Sequence, residues 1–225
     1  MAESMMFPNW AKNILFLLVY MISGLVLVII IEGLLSGTEL LPLNNAIERI
    51  VTHMRTPFLT TLFVSVTRLG NPSVLLSLAA FIAIILVMRG RLYDATLFIV
   101  ALIVAVVSLA MLKNTFQIAR PVSELINANG WSFPSGHATT ATAFFFLLAH
   151  TFFNRMKTSA GKTVLILGSI FVAALICFSR LYLGAHWALD ILAGIALGLL
   201  SVSLTILMFS IFIENKRSLK NRINS

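Results

Sequence analysis

The sequence predicts an all-α polytopic membrane protein: a six-transmembrane-helix bundle with an interfacial amphipathic helix. Three observations lead to this fold class: composition, mean hydropathy and the spacing of apolar runs. Of 225 residues, 59% are hydrophobic and 11% charged, whereas a typical soluble domain has about 45–50% and about 25%. With a mean hydropathy of +0.99, the chain has too much apolar surface for a water-soluble globule. Composition therefore excludes an ordinary cytosolic enzyme, a disordered chain and a secreted disulfide scaffold.

Six apolar runs are long enough, or nearly so, to cross a bilayer, which takes about 17–25 helical residues. Each is expected to be helical, because an isolated strand leaves its backbone groups unsatisfied in hydrocarbon. The first run, Ile14–Ile31, is too long for the apolar region of a signal peptide, so we expect it to be retained. The spans are predicted at about residues 13–34, 72–88, 93–112, 137–153, 162–181 and 187–213.

Residues 35–71 form a predicted interfacial segment between the first two spans. Four apolar residues here recur at the spacing of one helical face, with charged residues between them: Ile47, Ile50, Val51 and Met54. This pattern predicts a helix lying in the membrane interface. The apolar stretch 57–66 is too short to span, and whether residues 56–70 re-enter the bilayer stays open. Residues 70–72 predict a turn into the second span.

The distribution of positive charge predicts the orientation. The net charge is +8, but the charges are sparse and flank apolar runs, so we expect no nucleic-acid partner. Six crossings put both termini on one side, and that side carries ten of the sixteen Lys and Arg residues. The positive-inside rule then places both termini in the cytoplasm. The connections 113–136 and 181–187 consequently face outward.

Three cations lie at the outer ends of predicted helices and are candidates for phosphate binding. Lys113 and Arg120 are seven residues apart, about two helical turns, so they share a face if the helix continues. Pro121 limits how far that helix can run. Arg180 ends the fifth span and would approach from another direction. Arginine makes bidentate contacts with phosphate and lysine acts as a point charge; the alternative is that each cation extends to the lipid headgroups.

The tetrapeptide Pro134–His137 opens the fourth span. Ser135 is a good N-cap, and Gly136 lets a ligand approach the backbone closely. The free N–H groups and positive dipole end of a helix favour phosphate binding, although a plain capped turn is the alternative. His137 has no acidic partner nearby in sequence, so it is the better candidate for a general acid.

His186 and Asp190 are separated by four residues, so they can meet on one helix face. A carboxylate there holds one ring nitrogen and presents the other to a substrate, as a nucleophile or base requires. The alternative is a pair that only satisfies a buried polar group. Ionisable groups near membrane depth are costly, which favours a functional role.

Neither a disulfide nor a metal site is expected. Cys177 is the single cysteine, which excludes a disulfide within the chain and argues against a Cys-ligated metal. No metal-binding constellation is visible, and basic residues can supply the stabilisation that a metal often provides in phosphoryl transfer. We therefore predict metal-independent chemistry.

Gly194 and Gly198 predict a small-residue packing face in the last span.

Three motifs occur in one order: K-x6-R-P from Lys113 to Pro121, P-S-G-H from Pro134 to His137, and S-R-x5-H-x3-D from Ser179 to Asp190. Together they resemble the signature motifs of the type 2 phosphatidic acid phosphatase (PAP2) superfamily. No motif position departs from the pattern. The resemblance covers a motif core, residues 113–190, and the six-span layout extends it to a single integral membrane domain, residues 1–225.

The resemblance implies a role for each motif residue. His186 would attack phosphorus and carry a phosphohistidine intermediate, oriented by Asp190, and His137 would protonate the leaving group. Water would then release inorganic phosphate, with no cofactor. The phosphate oxygens would be held by Lys113, Arg120, Ser135, Gly136 and Arg180.

The chain is similar in size and layout to bacterial phosphatidylglycerophosphatase B-like and undecaprenyl pyrophosphate phosphatases. This implies a lipid phosphate substrate, namely undecaprenyl pyrophosphate, phosphatidylglycerophosphate or phosphatidic acid. It also implies a protein of the bacterial cytoplasmic (inner) membrane whose active site faces the periplasm. A lipid-to-lipid phosphotransferase and a non-catalytic lipid-binding or transport protein remain as alternatives, and the sequence does not set the oligomeric state.

Overall fold

A computed structural model describes residues 9–36, 40–126 and 129–223. Short stretches of the predicted interfacial segment and motif core, and both ends of the predicted domain, lie outside these ranges. Within them the chain is helical and contains no strand. The helices are α1 (Asn9–Leu35), α2 (Leu40–His53), α3 (Pro57–Leu69), α4 (Pro72–Met88), α5 (Leu92–Phe116), α6 (Gly136–Phe153), α7 (Ser159–Tyr182) and α8 (Ala188–Ile223).

The six predicted spans coincide with α1 and α4–α8, but fewer helices meet the length and hydropathy expected of a span. Among the described residues, α1, α5, α7 and the part of α8 up to Phe212 qualify, and α3 with α4 forms a fifth candidate bent by 42°. In α1 only 17% of the most apolar stretch is buried, which leaves most of its surface to lipid. The fold is thus a helical membrane bundle with four or five candidate spans, and the six-span count stays a prediction.

Helix α6 lies at the centre of the bundle, in contact with α4, α5, α7 and α8. Its packing against α8 depends on the two predicted glycines. A Cβ at Gly194 would lie 2.7 Å from the Ser135 carbonyl oxygen, and one at Gly198 would lie 2.8 Å from that of Thr139. The small-residue face is therefore confirmed. It brings the start of α6 against the first turns of α8, where the Ser135 N–H donates to the Asp190 carbonyl over 3.0 Å.

The predicted interfacial segment forms two helices, α2 and α3. Thr56 caps α3 by accepting a hydrogen bond from the Leu59 N–H over 3.3 Å, and Pro57 occupies the first turn, where its missing N–H costs nothing. Tyr182 fixes α3 against the end of α7, because its hydroxyl accepts from the Thr56 N–H over 2.8 Å. The Phe63 and Tyr182 rings pack at 4.6 Å. The C-terminal part of α7 is thereby covered by α3.

The break between α3 and α4 is also held against α7. A Cβ at Gly70 would lie 2.6 Å from the Ile176 side chain, so a larger residue does not fit there without displacing Ile176. Asn71 caps α4, since its Oδ1 accepts hydrogen bonds from the N–H and the hydroxyl of Ser73 over 3.0 and 2.9 Å. The end of α3 and the start of α4 therefore have a defined position beside α7.

Candidate active site

The sequence predicted that Lys113 and Arg120 share a helix face if the helix continues, but in the structure they do not. Helix α5 ends at Phe116, where the Gln117 N–H bonds to the Lys113 carbonyl and Gln117 adopts a left-handed conformation with φ of 48°. Arg120 therefore lies in the following loop. The loop nevertheless returns across the end of α5, because the Ser132 N–H donates to the Ile118 carbonyl over 2.7 Å, and both cations line one cavity.

This cavity has a volume of about 510 Å³ and holds most of the predicted site residues. It lies between α3, the end of α5, the start of α6 and the connection from α7 to α8. Ser135 and Asp190 do not line it but are buried behind its wall. Six of the eight predicted site residues line the cavity: Lys113, Arg120, Gly136, His137, Arg180 and His186.

His186 and Asp190 approach each other, although not on one helix face. His186 precedes α8, which begins at Ala188, and Asp190 lies in the first turn. His186 Nδ1 is 3.6 Å from Asp190 Oδ2, beyond hydrogen-bond distance. The Ser132 hydroxyl bridges the gap: it lies 3.3 Å from His186 Nδ1 and donates to Asp190 Oδ2. The Trp187 N–H donates to the same carboxylate oxygen over 2.9 Å.

These contacts define the tautomer of His186. Since the Ser132 hydroxyl donates to Asp190, its oxygen accepts from Nδ1–H, and Nε2 carries the lone pair. Arg120 Nη1 lies 3.3 Å from Nε2 and can only donate to it. Burial lowers the pKa of His186 to about 4, against the opposing charge of Asp190. His186 is thus neutral at neutral pH, with an unprotonated nitrogen at the cavity.

The three motif cations are held by backbone and side-chain acceptors. Lys113 Nζ donates to the Trp131 carbonyl over 2.6 Å. Arg120 donates to the carbonyls of residues 129, 130 and 185. Arg180 Nη1 donates to Thr67 Oγ1 over 2.8 Å, whereas its buried Nε has no partner among the described residues. An unpaired buried donor beside other cations suits an anionic ligand.

The start of α6 supplies the second histidine. Ser135 caps the helix by accepting from the Ala138 N–H over 3.5 Å. A Cβ at Gly136 would come no closer than 3.5 Å to Leu109, so the backbone there is not crowded. His137 lines the same cavity as His186, whereas the other two histidines, His53 and His150, do not.

Three residues in or next to the site lie outside the three motifs and were not predicted from the sequence. Ser132 links His186 to Asp190, and Thr67 accepts from Arg180. Arg55 connects the end of α7 to the loop after α5, by donating from Nε to the Tyr182 carbonyl over 3.0 Å and from Nη1 to the Ser123 carbonyl over 2.9 Å. Their sequence signals were weak: Arg55 is one of six cations predicted to face outward, and Ser132 lies two residues before Pro134.

Metal ligands are scarce in the part of the chain that the structure describes: no three His, Cys, Asp or Glu side chains cluster suitably. Metal independence stays a prediction, because it is a property of the reaction and is tested by an activity assay.

Comparisons with known proteins agree with the resemblance of the three motifs. The model of the PAP2 superfamily matches residues 94–214, which include all three motifs. The chain is 29% identical over 160 residues to phosphatidylglycerophosphatase B of Bacillus subtilis strain 168, covering 70% of this chain and 78% of that protein. It is also 29% identical over 172 residues to undecaprenyl-diphosphatase of Sulfolobus acidocaldarius, covering 73% and 78%.

Two crystal structures share the fold. A transmembrane PAP2 type phosphatidylglycerolphosphate phosphatase from Bacillus subtilis superposes with a TM-score of 0.74 at 24% identity, covering 81% of this chain and 93% of that chain. LpxE from Aquifex aeolicus superposes with a TM-score of 0.60 at 26% identity, covering 73% and 94%. The helical arrangement is therefore that of known membrane proteins.

Proposed function

The chain belongs to the PAP2 superfamily, and we propose that it is a membrane lipid phosphatase that works through a phosphohistidine on His186. Its substrate is a phosphate monoester or pyrophosphate of a lipid. The observation that carries this proposal is the position of His186, which lines a cavity together with cations and lies with its Nε2 3.3 Å from Arg120 Nη1. A nucleophile, an orienting carboxylate and anion-binding groups are what phosphoryl transfer to a side chain requires.

In the first half-reaction, His186 Nε2 attacks phosphorus and a nitrogen–phosphorus bond forms as the bond to the leaving oxygen breaks. His137 donates a proton to that oxygen. Asp190, acting through Ser132, stabilises the positive charge that develops on the imidazole. The phosphate oxygens are held by Lys113, Arg120 and Arg180 and by the start of α6 at Ser135 and Gly136.

In the second half-reaction, water attacks phosphorus, and the nitrogen–phosphorus bond breaks. The deprotonated His137 takes the proton of the water, which restores both histidines. Inorganic phosphate then leaves. This step separates a phosphatase from a phosphotransferase, in which a lipid replaces the water.

We place the site on the outer face of the bacterial cytoplasmic membrane, with six spans and both termini in the cytoplasm. The bias of Lys and Arg residues supports this orientation. Helix α4 supports the count, because its 17 residues reach the lower limit of about 17 for a span. A lipid in the outer leaflet then reaches the cavity from the side while its chains stay in the bilayer. Residues 1–225 act as one domain in this arrangement.

The test is phosphate release by the purified protein in detergent with EDTA, using undecaprenyl pyrophosphate, phosphatidylglycerophosphate and phosphatidic acid. We expect release from at least one lipid. We expect none from His186→Ala and weak activity from Asp190→Asn, whose nucleophile remains. Near-normal activity of His186→Ala contradicts the proposed mechanism. No release by a folded wild type contradicts hydrolysis and favours phosphotransfer, which addition of an acceptor lipid would reveal.

A further inference from the structure

The cavity contains one more cation than the three motifs supply. Arg68, in the last turn of α3, lines it together with Lys113, Arg120 and Arg180. None of the described residues lining the cavity is an Asp or Glu. Glu124 and Asp190 act on the three motif cations from outside the cavity lining and offset part of their charge. Because a phosphate monoester carries about −1.5 to −2 charge at pH 7, the added charge of Arg68 suits a head group more anionic than one phosphate.

Arg68 also differs from the motif cations in what it contacts. Lys113, Arg120 and Arg180 each donate to an acceptor of the protein. The side chain of Arg68 makes no hydrogen bond, ion pair or ring contact with any residue that the structure describes, whereas its backbone carbonyl accepts from the Asn71 N–H. Its guanidinium, with five donors in a fixed fork, is therefore available to a ligand.

The position of Arg68 is set by its neighbours on α3. Thr67 is buried and accepts the hydrogen bond from Arg180, which ties this turn of α3 to the motif cations. Gly70 packs against Ile176 of α7. Arg68 lies between these two fixed points, at the exposed rim of the cavity.

Asn71 offers further donors on the same wall. Its Oδ1 is engaged in capping α4 through two hydrogen bonds from Ser73, which fixes the orientation of the carboxamide. The Nδ2 group makes no hydrogen bond among the described residues, and Asn71 lines the cavity. Neutral amide donors beside a free guanidinium form a second anion-binding group, separate from the motif cations.

We propose that Arg68 and Asn71 bind the second phosphate of a lipid diphosphate, the one that stays on the lipid. The inference rests on the proposed function and narrows its substrate class. The volume of about 510 Å³ falls within the range of about 300–1,000 Å³ for small-molecule sites, so there is room for more than one phosphate. The motif cations hold the terminal phosphate, and Arg68 and Asn71 hold the phosphate next to the lipid.

The reaction explains why a subsite at Arg68 and Asn71 would promote the hydrolysis of diphosphates and not of monophosphates. When His186 attacks the terminal phosphorus of a diphosphate, the bond to the bridging oxygen breaks and a lipid monophosphate leaves. Negative charge develops on that oxygen and its phosphate, which Arg68 stabilises. A lipid monophosphate instead loses an alcohol, which has no phosphate for Arg68 to bind.

The experiment compares two lipids that differ by one phosphate: diacylglycerol diphosphate and phosphatidic acid with identical acyl chains. Initial rates of phosphate release give kcat/KM for the wild type, Arg68→Ala, Arg68→Lys and Arg68→Gln in detergent. Arg49→Ala is the matched control, because Arg49 is an exposed α2 arginine that does not line the cavity. Size-exclusion chromatography verifies that each variant is folded.

We expect Arg68→Ala and Arg68→Gln to lower kcat/KM for the diphosphate at least tenfold and to change that for phosphatidic acid less than threefold. Arg68→Lys should retain part of the diphosphate activity, and Arg49→Ala should change neither. Equal losses on both lipids, or an equal loss in Arg49→Ala, overturn the subsite while the phosphatase function stands. If the wild type does not hydrolyse the diphosphate, the subsite is wrong, whereas the proposed function is judged by the three lipids of its own test.

Discussion

At the scale of single residues, the site depends on how His186 is held. Its partner Asp190 lies 3.6 Å away, and the Ser132 hydroxyl contacts both side chains. The motif residues, His186 among them, could be predicted from the sequence, because the motifs specify both residue types and their spacing. Ser132 and Thr67 could not, since they enter the site through the return of a loop and the packing of α3, neither of which follows from local sequence.

Ser132 is expected to position His186. In Ser132→Ala, the ring loses the hydroxyl that links it to Asp190, so kcat should fall about tenfold, equivalent to about 1.4 kcal/mol, with little change in KM. Steady-state kinetics on phosphate release measure both constants. Ser203→Ala is the control, because Ser203 is a buried α8 serine whose hydroxyl, within the described part of the chain, bonds only to its own helix. Unchanged kcat in Ser132→Ala would show that the bridge is not needed.

The pH dependence of turnover follows from the lowered pKa of His186. Burial holds that pKa at about 4 instead of 6.5, so the neutral, nucleophilic form persists down to about pH 4. The decrease in kcat/KM that protonation of His186 causes should therefore be centred near pH 4. The titration of the substrate phosphate is measured separately by ³¹P NMR in the same detergent. A His186-dependent loss centred near pH 6.5 would disprove the effect of burial.

At the scale of elements, the ends of helices and the loops between them build the site. Helix positions agree closely with the apolar runs, because a span must be long, apolar and helical. The end of α5 did not follow the expected pattern: Gln117 stops the helix before Arg120. The two-helix form of residues 40–69 also depends on contacts with α7, such as the hydrogen bond from Thr56 to Tyr182, which a periodicity cannot show.

Arg55 connects the end of α7, which precedes His186, to the loop after α5, which carries Arg120 and Ser132. It donates to the carbonyls of Tyr182 and Ser123, and Ser123 in turn donates to Glu48 of α2 over 2.5 Å. Arg55→Ala leaves these part-buried acceptors unpaired, which costs about 1–3 kcal/mol. We expect a lower Tm in detergent and a lower kcat.

A thermal unfolding scan of Arg55→Ala alongside Arg49→Ala separates this effect from the loss of surface charge. Among the described residues, the Arg49 side chain donates only to a carbonyl of its own helix, so its variant should keep the wild-type Tm. Equal Tm values for all three proteins would contradict the role of Arg55.

At the scale of the whole molecule, the cavity lies at one end of the bundle and a second set of contacts lies at the other. Arg91, at the start of α5, pairs with Asp94 over 2.7 Å and donates to the Thr151 carbonyl near the end of α6 over 3.1 Å. The proposed orientation puts this end in the cytoplasm. The orientation can be predicted by counting charges, because orientation depends on the composition of the loops. The number of spans also depends on how the helices pack.

The orientation can be tested by labelling introduced cysteines in intact cells with a membrane-impermeant maleimide. Val122 is fully exposed in the loop near the cavity, and Asn154 is exposed at the opposite end. Val122→Cys should be labelled in intact cells and Asn154→Cys only after permeabilisation. The native Cys177 is buried, so the unmodified chain serves as the background control. The reverse labelling pattern would place the cavity in the cytoplasm.

The most direct measurement of the central claim is to trap the covalent intermediate. The purified protein is mixed with a lipid diphosphate labelled with ³²P in its terminal phosphate and quenched in alkali, which preserves phosphohistidine. We expect label on His186 that is stable in alkali and lost in acid, and none in His186→Ala. Turnover with no label on His186, or label retained by His186→Ala, would contradict the phosphohistidine mechanism.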